Sequence, residues 1–119
     1  MKPEPIRLLI VDDQAIVRKG TMALLSLIEG IDVVGEAVNG QEAVLQSATL
    51  QPDVILMDLM MPIMDGITAT RRIRQEFPAI KVIALSSFGQ ERLIRAMLEA
   101  GVTGYLLKKV SPDELARAI

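Results

Sequence analysis

Short, unbroken apolar runs recur along the chain: Leu8 to Val11, Ile31 to Val34 with Ala37 and Val38 beyond, Val54 to Met57, Val82 to Leu85, and Tyr105 to Leu107. Each is too short for a typical helix and rich in Val, Ile or Leu. A run that is apolar throughout, not at alternate positions, suits a strand covered on both faces. Segments with helical spacing lie between the runs. Val17, Leu24 and Ile28 mark one apolar stripe, and Ala43, Val44 and Ala48 a second. Ile67, Thr70, Ile73 and Phe77 follow Gly66 as a third. Leu93, Met97 and Ala100 form the fourth, closed by Gly101 as a C-cap. The fifth opens on Ser111, Pro112, Asp113 and Glu114, a capping box with proline at the first helical position and acids in the first turn. Pro52, Pro78 and Gly40 punctuate the loops.

Five strand–helix alternations predict an α/β domain: a doubly wound five-stranded parallel sheet with five helices on its two faces. Right-handed crossovers and the flavodoxin-like strand order 2-1-3-4-5 are the natural arrangement. The domain is expected to span residues 1–119. Leu115 and Ile119 begin an apolar stripe that the chain end interrupts, which reads as a fragment of a longer protein.

Composition narrows the chemistry. The chain has 119 residues, half of them hydrophobic but only 3% aromatic, so the core is expected to be aliphatic with some adaptable Met. It contains neither Cys nor His. Disulfides, thiolate chemistry, Ser-His-Asp triads and His-ligated zinc are therefore excluded. Lys2, Glu4 and Arg7 interrupt the N-terminal apolar run, which does not read as a signal peptide. No apolar stretch approaches the ~20 residues that span a bilayer, and a cytoplasmic protein is expected. The formal net charge is −2. The cluster Arg71, Arg72 and Arg74 is followed by Glu76 and reads as a solvated helix face, so this region is not expected to bind DNA by itself.

In an open parallel sheet, ligands bind beyond the carboxyl ends of the strands. The first strand ends in Asp12 and Asp13, the third in Asp58, the fourth in Ser86 and Ser87, and the fifth in Lys108 and Lys109. The predicted order makes these strands neighbours, so the groups converge on one cleft. Three carboxylates there repel one another unless a hard divalent cation joins them, and Mg²⁺ takes oxygen ligands. A lysine and a serine hydroxyl add donors for phosphoryl oxygens. Aspartate nucleophile, Mg²⁺ site and donors together make a constellation for phosphoryl transfer. Taken singly, Asp after a strand is more often a helix cap, and Lys at a strand end a solvated charge. Their coincidence at one end of neighbouring strands favours the chemical reading.

Four segments, spread over essentially the whole chain, resemble the receiver family of response regulators. Leu9 to Asp13 resemble its acidic-pair motif, and Asp58 to Gly66 its phosphoacceptor loop. Ser86 falls where the family has Ser or Thr. Gly104 to Lys108 resemble its final strand, with an aromatic residue and a lysine. The resemblance implies that Asp58 is phosphorylated, that Asp13 binds Mg²⁺ directly and Asp12 through water, and that Met60 offers its backbone carbonyl. It implies that Ser86 and Lys108 hold phosphoryl oxygens, that Ser86 and Tyr105 form the switch, and that a sensor histidine kinase or a small acyl phosphate is the donor. Arg18, Lys19 and Gly20, with Gly35 to Ala37, Asn39, Gly40, Glu42 and Ala43, resemble the NarL/LuxR type. That type carries a C-terminal helix-turn-helix domain, absent from this sequence, through which transcription would be controlled.

Further expectations follow from the resemblance. Met60 and Phe88 flank the path of the hydrolytic water, so a long-lived phosphorylated state is expected. Phosphorylation is expected to promote a homodimer through the first and fifth helices, because Ile16, Val17, Met22, Ala23, Leu25 and Leu27 cannot all face one sheet. The rival surface is the fourth helix, fifth strand and fifth helix. Gln14 departs from a His often found in this type, and Lys109 from a proline whose peptide is often cis; strain or rearrangement is expected there. Competing readings are a stand-alone receiver acting through protein binding, an aspartyl-phosphate hydrolase and a nucleotide binder. Met60 cannot serve a hydrolase as general acid. Asp12-Asp13-Gln14 is acidic where a nucleotide binder needs a Gly/Ser/Thr-rich loop. The chain is read as a signalling domain and not as a turnover enzyme.

Overall fold

A computed structural model describes residues 4–87, 91–109 and 111–119. Strands and helices alternate as β1 (Ile6–Val11), α1 (Ala15–Leu25), β2 (Ile31–Ala37), α2 (Gly40–Leu50), β3 (Val54–Asp58), α3 (Gly66–Glu76), β4 (Lys81–Ser86), α4 (Ile94–Ala100), β5 (Gly104–Leu107) and α5 (Pro112–Ala118). A single 3₁₀ turn, Glu91–Leu93, precedes α4. The five strands are all parallel, in the order β2-β1-β3-β4-β5. The expected α/β architecture is therefore what the chain adopts.

Strand side chains alternate between two aliphatic cores. Leu8, Ile10, Leu56 and Leu85 pack with Leu25 of α1 and Leu115 of α5. Leu9, Val11, Ile55, Met57 and Val82 pack on the other face with Ala43 of α2 and Ala69 and Ile73 of α3. Both faces of β1 and β3 are thus covered, which is why their sequences are continuously apolar. Each fully buried aliphatic side chain stabilises the fold by roughly 1.5–3 kcal/mol relative to exposure.

Helix starts follow local chemistry. Asn39 caps α2 by accepting from the Glu42 amide at 2.8 Å, and Asp65 caps α3 by accepting from the Thr68 amide at 2.8 Å. Ser111 caps α5, with Pro112 in the first turn. Gly101 ends α4 in the left-handed region at φ +100°. Two stripes are displaced from the expected positions. Leu25, not Leu24, is the buried anchor of α1, and Ser47, not Ala48, is buried in α2. The Ser47 hydroxyl donates to the Ala43 carbonyl at 2.7 Å, which removes the cost of burying it. Gly40 is not a loop residue: it opens α2, and its amide donates to the Met64 carbonyl at 2.8 Å.

Candidate functional site

Asp12 and Asp13 follow directly on β1, and Asp58 closes β3, so the central strands deliver three carboxylates to one edge of the sheet. An oxygen from each lies within 4.8 Å of the others. Asp12 and Asp58 are both 3% exposed, whereas Asp13 stands open to solvent. Lys108, just beyond β5, reaches across. Its Nζ lies 3.2 Å from Asp58 Oδ1 and 3.3 Å from Asp12 Oδ2. Backbone donors complete the pocket: the Leu59 amide donates to Asp58 Oδ1 at 2.9 Å, and the Gln14 amide to Asp12 Oδ1 at 2.9 Å.

Burial pushes the Asp58 carboxyl above the ordinary carboxylate range, and the Asp12 charge adds to this; Lys108 and the Leu59 amide pull the other way without cancelling it. For Lys108, burial disfavours the ammonium, but the Asp58 and Asp12 carboxylates together outweigh burial and raise its pKa. The sign for stability follows. Folded Asp58 holds its proton more tightly than unfolded Asp58, so the fold loses stability as pH rises from the ordinary carboxylate range through the raised value. Asp58→Asn is therefore expected to stabilise the ion-free protein at neutral pH by about 1 kcal/mol, the scale of a relieved active-site conflict. The gain should vanish at acid pH, where Asp58 is protonated folded and unfolded alike. Urea unfolding across pH checks this, and a less stable Asp58→Asn protein at pH 7 contradicts it.

Ser86, the last residue of β4, is fully buried, and its Oγ has no hydrogen-bond partner among the described residues. Its carbonyl accepts from the Lys108 amide at 2.9 Å, which ties the ends of β4 and β5 together. The Tyr105 ring packs beside a small cluster of Leu59, Ala84 and Met97, and its hydroxyl is buried with no partner among the described residues. Although β5 is an edge strand, this hydroxyl is shielded from water. Buried hydroxyls without a partner are unusual enough to require an explanation.

The loop from β3 to α3 carries a feature that residue type did not announce. Ile63 has φ +69°, and the Met64 amide donates to the Pro62 carbonyl at 2.7 Å across it. That is a γ-turn of the rare, strained kind, here with a β-branched residue at its centre. Met60, two residues after Asp58, is 60% exposed. Phe88, paired with Met60 in the expectation of slow hydrolysis, lies outside the described residues. The Lys108–Lys109 peptide is trans, and neither residue has a positive φ.

The donor set suits a hard divalent cation: all three acidic ligands are oxygens, and the buried Asp58 is uncompensated enough to hold a raised pKa. The same arrangement offers a carboxylate beside a lysine, with the Ser86 hydroxyl at the end of the next strand.

Comparison with known proteins agrees. The family profile described as "Response regulator receiver domain" matches residues 8–119. The transcriptional regulatory protein LnrK of Bacillus subtilis is 44% identical over 114 residues, covering 96% of this chain and 52% of that protein. The chain spans about half the length of the curated relatives it matches. Among solved structures, the signal receiver domain of NarL from Mycobacterium tuberculosis superposes with a TM-score of 0.92 at 33% identity, covering 98% of this chain and 94% of that one. A CheX–CheY–BeF₃–Mg²⁺ complex from Borrelia burgdorferi gives 0.87 at 28% identity, covering 96% and 86%.

Proposed function

Since the chain belongs to the response regulator receiver domain family and is the receiver domain of a two-component response regulator, we propose that it accepts a phosphoryl group on Asp58 and changes its surface in response. The observation that carries this is Lys108 bridging two buried carboxylates at the carboxyl ends of β1, β3 and β5. Asp58 Oδ1 is occupied by Lys108 and the Leu59 amide, while Oδ2 accepts no hydrogen bond among the described residues. Oδ2 is thus the oxygen positioned to attack phosphorus. The new O–P bond forms as the P–N bond to a kinase histidine, or the P–O bond of an acyl phosphate, breaks; the bonding pair leaves with the nitrogen or the carboxylate.

Asp12, Asp13, Asp58 and the Met60 carbonyl would hold Mg²⁺, which when bound neutralises phosphoryl and carboxylate charge. BeF₃ and Mg²⁺ appear together in the name of the related CheX–CheY complex, which supports this choice of ion. Lys108 supplies charge and a donor to a phosphoryl oxygen. Ser86 Oγ, buried and unpaired among the described residues, is the hydroxyl that would turn toward the new acceptor. Its movement would draw the segment after β4, and the Tyr105 hydroxyl, without a partner inside its cluster, would gain or lose room with it.

The phosphodonor in the cell is a sensor histidine kinase, and the output is transcription through a C-terminal helix-turn-helix domain in the full-length protein. Half-length coverage of LnrK, named as a transcriptional regulator, supports that reading. Among the described residues no helix is long and apolar enough to cross a membrane. The cytoplasm is the proposed place of work, on the ground of the family alone. On α1, Ile16 is 89% exposed, and Leu27 just beyond the helix is 83% exposed. These residues favour α1, with the neighbouring α5, as the surface of a phosphorylation-dependent homodimer. With no turnover expected, the domain acts as a switch.

The test is mass spectrometry after incubation with acetyl phosphate and Mg²⁺. One phosphoryl group should map to Asp58, require Mg²⁺, and be absent from Asp58→Asn. Phosphorylation of Asp58→Asn at the wild-type rate would overturn the assignment.

A further inference from the structure

Arg18 in α1 takes no part in the chemistry above, yet its side chain is only 12% exposed. Its guanidinium fork reaches β2 and the residue just beyond β1. Nε donates to Glu36 Oε1 on β2 at 2.7 Å, and Nη1 donates to the backbone carbonyl of Asp12 at 2.8 Å. Glu36 is held from other sides as well: Lys19 Nζ lies 3.0 Å from its Oε2, and its backbone carbonyl accepts from Gln46 Nε2 in α2 at 2.5 Å. Hydrogen bonds from Arg18 and Lys19 keep the Glu36 carboxyl below the ordinary carboxylate range.

Sheet register explains how Glu36 comes to be there. Leu8 pairs with Val33, but Leu9 pairs with Gly35, so β2 carries one extra residue at Val34. A β-bulge of this kind reverses which face the following side chains take. It sets Glu36 opposite Ile10, whose side chain faces α1 and α5. Without the extra residue Glu36 would pair with Val11, on the face covered by α2 and α3.

We propose that Arg18, anchored by Glu36, is a positioning residue for the acidic site, fixing the Asp12 peptide so that the Asp12 carboxylate is aimed into the cation-binding pocket. This deepens the reading of Asp12, Asp13 and Asp58 as a divalent-cation site and rests on it. The Asp12 amide already donates to the Ala37 carbonyl at 3.1 Å, and Asp12 Oδ1 accepts from the Gln14 amide. Arg18 closes the remaining freedom by holding the carbonyl. Outer-shell partners of this kind commonly govern metal affinity.

The clamp and the charge of Arg18 act in opposite directions, which makes the proposal separable. A nearby cation weakens binding of another cation; a clamp on a ligand strengthens it. Lysine keeps the charge but cannot reproduce a planar fork bridging two acceptors. Mn²⁺ binding to the 119-residue chain, followed by electron paramagnetic resonance, is the readout, alongside amide hydrogen exchange of the ion-free protein. Arg18→Met and Arg18→Lys should each weaken Mn²⁺ binding about tenfold or more. Glu36→Gln, whose amide oxygen still accepts from Arg18, should weaken it less. In ion-free Arg18→Met, the Gln14 amide should exchange faster than in the wild type. Tighter Mn²⁺ binding by Arg18→Met with unchanged binding by Arg18→Lys would assign Arg18 a charge effect alone and overturn the proposal. A lowered Tm with unchanged affinity and unchanged Gln14 exchange would reduce Arg18 to a packing role and overturn it too. Failure of the wild type to bind Mn²⁺ would instead strike the cation-site reading itself, and this inference with it.

Discussion

Lys108→Met is expected to slow phosphorylation of Asp58 by acetyl phosphate about a hundredfold, the usual cost of deleting one preorganised charge-stabilising donor. The effect has two sources in the geometry. Lys108 is the cation lying within 3.3 Å of both Asp12 and Asp58, so its loss removes the contact poised for a phosphoryl oxygen. It also leaves two carboxylates, each 3% exposed, facing each other without that countercharge. Asp58 is already pushed above the ordinary carboxylate range with the lysine in place. Without it, and before an ion binds, the carboxyl moves further up. Intact-protein mass spectrometry over a time course measures the rate. A wild-type rate in Lys108→Met would remove Lys108 from the chemistry.

Gly66→Ala should cost about 3 kcal/mol of stability, at the upper end of what overpacking exacts. Gly66 opens α3 directly against the end of β3. A methyl group there would press inside the van der Waals envelope of the Asp58 carbonyl oxygen, and would also come within 2.9 Å of the Leu59 Cα. These are backbone atoms of a buried strand end and cannot turn aside as a flexible side chain can. The Gly66 amide also donates to the Leu59 carbonyl at 2.9 Å, so helix and strand end cannot separate without losing that bond. Because the displaced atoms belong to Asp58, the proposed phosphoacceptor, the folded fraction of the variant should accept phosphate more slowly as well. Gly20→Ala is the control. It sits mid-helix in α1 with nothing within 4 Å of the added Cβ, and should raise stability by roughly 1 kcal/mol through helix propensity. Urea unfolding of the two variants compares them directly; a Gly66→Ala protein as stable as the wild type would mean that the strand end yields.

The contrast between these two glycines marks how far the sequence could be read. Buried strands were legible because Leu8 to Val11 and Val54 to Met57 are apolar at every position, and only a two-sided sheet requires that. The convergence of the candidate site was legible because strand order brings Asp12, Asp13, Asp58, Ser86 and Lys108 to one edge without any side-chain detail. Helix faces were harder. Leu24 and Leu25 are chemically identical neighbours, so only the angle at which α1 meets the sheet selects Leu25 for the core. Ser47 displaced Ala48 because its hydroxyl finds a partner one helical turn back. The γ-turn at Ile63 could not be read at all: a β-branched residue argues against positive φ, and the loop adopts it nonetheless. The strain expected at Lys109 was inferred from the residue that usually stands there. In this chain a trans peptide accommodates the lysine. The role of Arg18 depends on a β-bulge, which leaves no mark in residue type.

Strand order has a further consequence, for the making of the protein. The carboxylates of Asp12, Asp13 and Asp58 are supplied by strands β1 and β3, which pair with each other, but their countercharge arrives on the last strand, β5, which joins the sheet only through β4. Chains emerge from the ribosome N-terminus first, but a domain generally folds as a unit. The acidic residues are therefore expected to wait, unassembled, until β5 has been made, and to be gathered into a pocket in the same step that brings Lys108 among them. A copy that ends before β5 is expected to lack the pocket altogether, so the domain is expected to acquire its charge cluster and its countercharge together, at the end of its synthesis.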